Sequence, residues 1–167
     1  MYAIRCTAPL LRRLARLTPP GKGREPHATT VLGDWYANPL NIGRHRLILC
    51  TSAQSLLSVV VPAKDLLGLP QRLAESLAFL LSRLAVPTKC INAELAEMSL
   101  VRFGPTRSRS VLGSMNDFAW TARAYFQSDR PTIYLDQLDF RLSETPCGPL
   151  NYESPAEVAL RLLQSAA

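Results

Sequence analysis

A chain of 167 residues, 47% hydrophobic and 19% charged, can bury one core without disulfide or metal staples, so a single globular domain over residues 1–167 is expected. Its formal charge of +6 is unevenly spread: residues 1–30 carry six basic groups against one acidic, residues 101–131 five against two, and residues 132–167 two against five. Such a balance permits a polyanionic partner, because each neutralised phosphate releases condensed counterions, and it equally fits a solvated basic face.

Tyr2 to Cys6 alternates as a short strand, and the absence of a continuous apolar run there argues against a secretory signal. Thr7 can cap a following helix that has Pro9 in its first turn. Leu10, Leu14 and Leu17 line one side of this helix and Arg12, Arg13 and Arg16 the other, which describes a basic surface helix or a phosphate-facing one. Residues 18–30, with Pro19, Pro20, Gly21, Gly23 and Pro26, predict a flexible loop. The island Gly33-Asp34-Trp35-Tyr36-Ala37-Asn38-Pro39 follows, dense in aromatic and hydrogen-bonding groups and without a clean period.

Arg44–Cys50 and Leu56–Val61 predict an antiparallel hairpin in the centre of a sheet. The uncharged run from Leu47 to Ala63 approaches the length of a membrane span, but Thr51 to Ser55 in its middle marks a turn, so no membrane partner is expected. From Pro70, Leu73, Leu77, Leu80 and Leu84 follow helical spacing up to Pro87. Thr88 to Met98 predicts a short helix with Glu94 and Glu97 exposed, and Leu100–Phe103 a strand closed by Gly104-Pro105. Ser110 to Ser128 is a long helix with Val111, Met115, Phe118, Ala122 and Tyr125 inward and Arg109, Asn116 and Arg123 repeating every seven residues outward. Thr132 to Ser143 offers a helical face whose start could also be a strand. Thr145–Pro149 is a turn, and Ser154-Pro155-Ala156-Glu157 is a capping box opening a helix that buries Val158, Leu162 and Leu163. Together these elements predict an α+β fold, with a small, mostly antiparallel sheet of about four strands covered by several helices.

Chemistry-bearing residues gather in two places. Gly104 to Ser110 leads from a strand into the long helix, so Arg107, Ser108, Arg109 and Ser110 should surround unpaired backbone amides and suit a phosphate or carboxylate. The same residues would also make an ordinary capped helix with solvated arginines. Asn116 and Asp117 sit deeper in the helix, where an amide and a carboxylate are unfavourable without a catalytic or hydrogen-bonding role. In the first island, Asp34 suits a general base or an arginine partner, while Trp35 and Tyr36 suit either stacking on a base or anchoring in the core.

Nothing matches a phosphate-binding loop, a dinucleotide fingerprint, a serine-nucleophile elbow or a zinc-protease helix. Cys6, Cys50, Cys90 and Cys147 form no C-x-x-C pair, and only His27 and His45 could assist them, so no metal and no cofactor is expected; three of the four, set among apolar neighbours, are expected to be buried thiols, as fits a reducing cytoplasm. The leading expectation is a protein that binds a polyanion, nucleic acid or a phosphorylated small molecule. An enzyme acting on a phosphoester through Asp34 and Asp117, assisted by Arg109 and Asn116, is the alternative. A protein-interaction module of antitoxin or regulatory type is a third, marked by an exposed apolar patch.

Through Gly33–Asn38, Arg109–Asp117 and Thr145–Tyr152 the chain resembles, over its full length, a family of small bacterial proteins classed as a domain of unknown function. In similar proteins this domain stands beside a module named after a plasmid open reading frame, which implies mobile-element or accessory biology. The resemblance implies a self-contained domain and supplies no catalytic residues.

Overall fold

A computed structural model of the chain describes residues 1–17, 27–127 and 134–166. The breaker-rich stretch 18–26 of the expected loop lies outside the described residues, as do Thr132 and Ile133. Five strands, β1 (Tyr2–Cys6), β2 (Trp35–Ile42), β3 (His45–Ser52), β4 (Ser58–Pro62) and β5 (Val101–Pro105), form one sheet in the order β4-β3-β2-β1-β5. The expected hairpin is present as β3 and β4. The sheet as a whole is mixed rather than purely antiparallel, because β1 runs parallel to both β2 and β5 while β2, β3 and β4 alternate in direction.

The additional strand is the first polar island. Residues 35–42 form β2 between β1 and β3, covered on both faces, which erases the alternation that would have advertised a strand. Pro39 is tolerated there because β1 stops at the pair Cys6↔Ala37, leaving β2 beyond it without a parallel neighbour. Gly43 and Arg44 close the β2–β3 hairpin as a two-residue loop, with Gly43 at φ +54, a conformation such loops require.

Helices cover both faces of the sheet. Tyr2, Ile4, Trp35, Ile48 and Val59 face α1 (Ala8–Ala15), α2 (Leu69–Arg83), α3 (Thr88–Glu97) and α6 (Pro155–Ser165). Tyr36, Leu40, Leu49 and Val60 face α4 (Arg109–Gln127) and α5 (Leu135–Ser143). Of the expected leucine stripe, Leu73, Leu77 and Leu80 are buried on α2 while Leu84, its C-cap, is half-buried, and α6 begins with the capping box its sequence announces, Ser154 and Glu157 exchanging both hydrogen bonds. Val158 and Leu163 of α6 are buried as expected, while Leu162 is half-buried.

Three polar side chains are drawn into the fold, two of them against expectation. Thr7 stands at the start of α1 but does not cap it; its hydroxyl donates instead to Asn38 Oδ1 at 2.9 Å, tying the helix to β2. Glu94 is buried, not exposed, and accepts the Val31 and Leu32 amides at 2.7 and 3.0 Å, fastening the approach to β2 onto α3. Burial raises its pKa. Asp139 of α5 is buried against the outer border of β4, accepts the Val60 amide at 2.8 Å, and is pushed by burial well above the usual carboxylate range. All four cysteines are buried free thiols, that of Cys6 raised by burial to about 12. Among the described residues no helix is long and apolar enough to cross a membrane.

Candidate functional site

The first island is consumed by the fold. Gly33 adopts φ +76, and a Cβ there would lie 2.8 Å from Gln54 Cγ, so the turn into β2 needs a glycine. Asp34 Oδ1 accepts the Ala3 amide at 2.9 Å, and Oδ2 accepts Arg5 Nε at 2.9 Å and lies 2.8 Å from Arg5 Nη2. The pair is nearly enclosed, with side-chain exposures of 6% for Arg5 and 18% for Asp34. Of the roles open to Asp34, the structure realises that of arginine partner. Trp35 is 0% exposed and Tyr36 is buried, so neither ring can reach a base in this structure; both anchor the core, on opposite faces of β2. Trp35 Nε1 makes no hydrogen bond among the described residues.

The second island is displayed on the surface. Register pairs Cys6 with Pro105, so Thr7 and Thr106, the next residues, emerge side by side from the carboxyl ends of two parallel strands. From there α1 packs on one face of the sheet and α4 on the other. Adjacent strand ends whose connections leave to opposite faces are the place where open sheets accommodate ligands. Ser108 Oγ accepts the Val111 amide at 3.3 Å and so satisfies one of the orphan donors at the start of α4. Arg107, Arg109 and Ser110 are exposed, and among the described residues Arg109 makes no hydrogen bond or ion pair.

The remaining candidates are dispersed. Arg12 and Arg13 are exposed in the last turn of α1, where positive charge suits the helix C-terminus, and Arg16 is its C-cap. These three lie on the opposite sheet face from α4. Asn116 and Asp117 are exposed on α4. Asp117 stands near Cys147, whose thiol is raised first by burial and then by that carboxylate. No hydrogen bond or ion pair joins Asp117 to Asp34, whose oxygens are occupied by Ala3 and Arg5. Asp34 is thus engaged within the fold, while Asp117 stands exposed to solvent. The Thr145–Tyr152 segment is a tight turn around a 3-10 helix, Gly148–Leu150, with Asn151 at φ +54 and Tyr152 at φ +65. Its strain is held by backbone bonds from Cys147 N to Glu153 O and from Tyr152 N to Cys147 O.

Two features escaped the sequence. Thr7, Asn38 and Thr106 stand together at the strand ends, and only the parallel register of β1 with β2 and β5 makes them neighbours. Trp120 is 73% exposed on α4, on the same side as Arg109, Asn116 and Arg123. The seven-residue polar repeat was the available signal, since Trp120 falls on it by helical spacing, but tryptophan is ordinarily counted toward a core. Among the described residues no group of three or more histidine, cysteine, aspartate or glutamate side chains could hold a metal ion.

Fold and surface together define an α+β domain with a mixed five-stranded sheet, one helix of which carries exposed polar groups at its start and along its outer side. Residues 3–158 match a domain of unknown function, DUF6933, and the chain belongs to that family. No curated protein and no solved structure matches it.

Proposed function

We propose that this protein binds a polyanion, nucleic acid foremost, at the carboxyl ends of β1 and β5. Arg107 and Arg109 contact phosphates, and Ser108, Ser110 and the first-turn amides of α4 supply hydrogen bonds. The observation that carries the reading is the departure of α1 and α4 to opposite faces from adjacent strand ends, which leaves two helix N-termini beside exposed arginines. The dipoles of both helices favour negative charge there. Arg12, Arg13 and Arg16 extend the positive surface to the other layer, where they add long-range attraction rather than direct contact. Buried thiols suit a reducing bacterial cytoplasm, and an accessory role in mobile-element biology follows from the resemblance of its motifs.

Fluorescence anisotropy with labelled oligonucleotides across a salt series tests this. Affinity falls linearly in log–log form with salt, and Arg107→Ala and Arg109→Ala each reduce the slope by about 1. Absence of binding at low ionic strength removes the proposal.

A further inference from the structure

We infer that the outer side of α4 is a platform for unpaired nucleic acid, on which a base stacks against Trp120 while Arg109 and Arg123 hold the flanking phosphates. This inference rests on the polyanion reading and names the form of polyanion. Arg109, Gly113, Asn116, Trp120 and Arg123 follow one another at intervals of four, three, four and three residues, so they form a single stripe about 21 Å long. All five are exposed, and the stripe begins at the first residue of α4, two residues beyond Arg107, giving a strand a continuous path from phosphate site to aromatic ring.

Two members of the stripe have no explanation within the fold. Trp120 leaves most of the largest side chain in water, while the inward side of the same helix buries Val111, Met115, Phe118 and Ala122. Gly113 is unfavourable in the helix interior, yet a Cβ built on it meets nothing within 4 Å, so no neighbour in the chain requires its smallness. A bare stretch of backbone between Arg109 and Asn116 instead permits close approach from outside.

The composition of the stripe selects the occupant. A groove-binding protein partner would need several apolar anchors at helical spacing, whereas here one aromatic ring stands among two guanidiniums and an amide. That set fits base stacking combined with backbone neutralisation, and Asn116 can pair with a base edge. Asp117, at the margin of the stripe, is the single acidic group on this side of the helix between Arg109 and Arg123. A duplex keeps its bases stacked on each other, so the ring of Trp120 favours single strands.

The chain has two tryptophans, and because Trp35 is wholly enclosed, long-wavelength emission reports Trp120. Short oligothymidylate, a duplex of equal length and inorganic polyphosphate are each titrated into the full chain. Oligothymidylate quenches Trp120, and Trp120→Ala weakens its binding roughly tenfold or more, Trp120→Phe far less, while polyphosphate binding is unchanged by either substitution. Equal oligothymidylate affinity in wild type and Trp120→Ala, with polyphosphate still bound, overturns the platform and leaves the polyanion reading intact. Loss of all three ligands at low salt overturns both. Quenching that rises with protein concentration alone, with a doubling of mass in sedimentation, assigns the face to a second copy and also overturns the proposal.

Discussion

The segments Gly33–Asn38 and Arg107–Asp117 look alike as text, since each packs charged, amide and hydroxyl or aromatic groups into a few residues. In the fold they are opposites. Asp34 is enclosed with Arg5 and the Ala3 amide, Asn38 receives Thr7, and both aromatic rings lie in the core. Along Arg107–Asp117 the inward residues are Val111, Ser114 and Met115, and the charged and amide groups face solvent. Polar density therefore does not by itself mark a site; what distinguishes one is whether the fold has already satisfied its donors and acceptors.

Substitutions should separate the two regions. The largest effect is expected from Asp34→Ala, which leaves Arg5 buried beside a lost partner and costs about 3–5 kcal/mol in urea unfolding, without a specific change in ligand affinity of the folded fraction. A loss under about 1 kcal/mol would mean the pair is not structural. A second interior carboxylate sharpens the point through pH. Because Asp139 has a raised folded pKa, its proton is held more tightly when folded, so its stabilising share is present below the ordinary carboxylate range and fades as pH rises through the folded value. Asp139→Asn cannot titrate and should gain stability relative to wild type as pH rises above the ordinary carboxylate range in parallel denaturation curves. Equal slopes in the two proteins would contradict this.

Smaller effects belong to α4. Gly113→Ala should raise stability by about 1 kcal/mol, since the added methyl enters open space and improves helix propensity, while weakening oligothymidylate binding a few-fold. Enhanced stability with unchanged affinity would leave the glycine without an external role. Asp117→Asn should alter unfolding by less than about 0.5 kcal/mol, in contrast to Asp34.

Much of the architecture was readable from local pattern. Leucines at three- and four-residue spacing announced α2, Ser154 and Glu157 announced α6, and two near-continuous apolar runs announced β3 and β4, because each signal lies within a few neighbouring residues. β2 was hidden by its double coverage and by Pro39, and the burial of Glu94 by partners more than sixty residues away. The candidate site was half legible. Arg107 to Ser110 could be named from the helix start, whereas Thr7 and Asn38 reach it only through the parallel pairing of β1, and Trp120 was obscured by the usual preference of its side chain for the interior.

One detail of the sheet has a bearing on how copies of this molecule behave when crowded. The Val60 amide on the border of β4 is already taken by Asp139, and Pro62, at the end of the strand, has no amide to offer. A stray extended segment arriving at that margin meets an acceptor where it needs a donor. Fibril-like stacking is thereby discouraged by a single carboxylate, and removing it by Asp139→Ala should surface first as turbidity on warming.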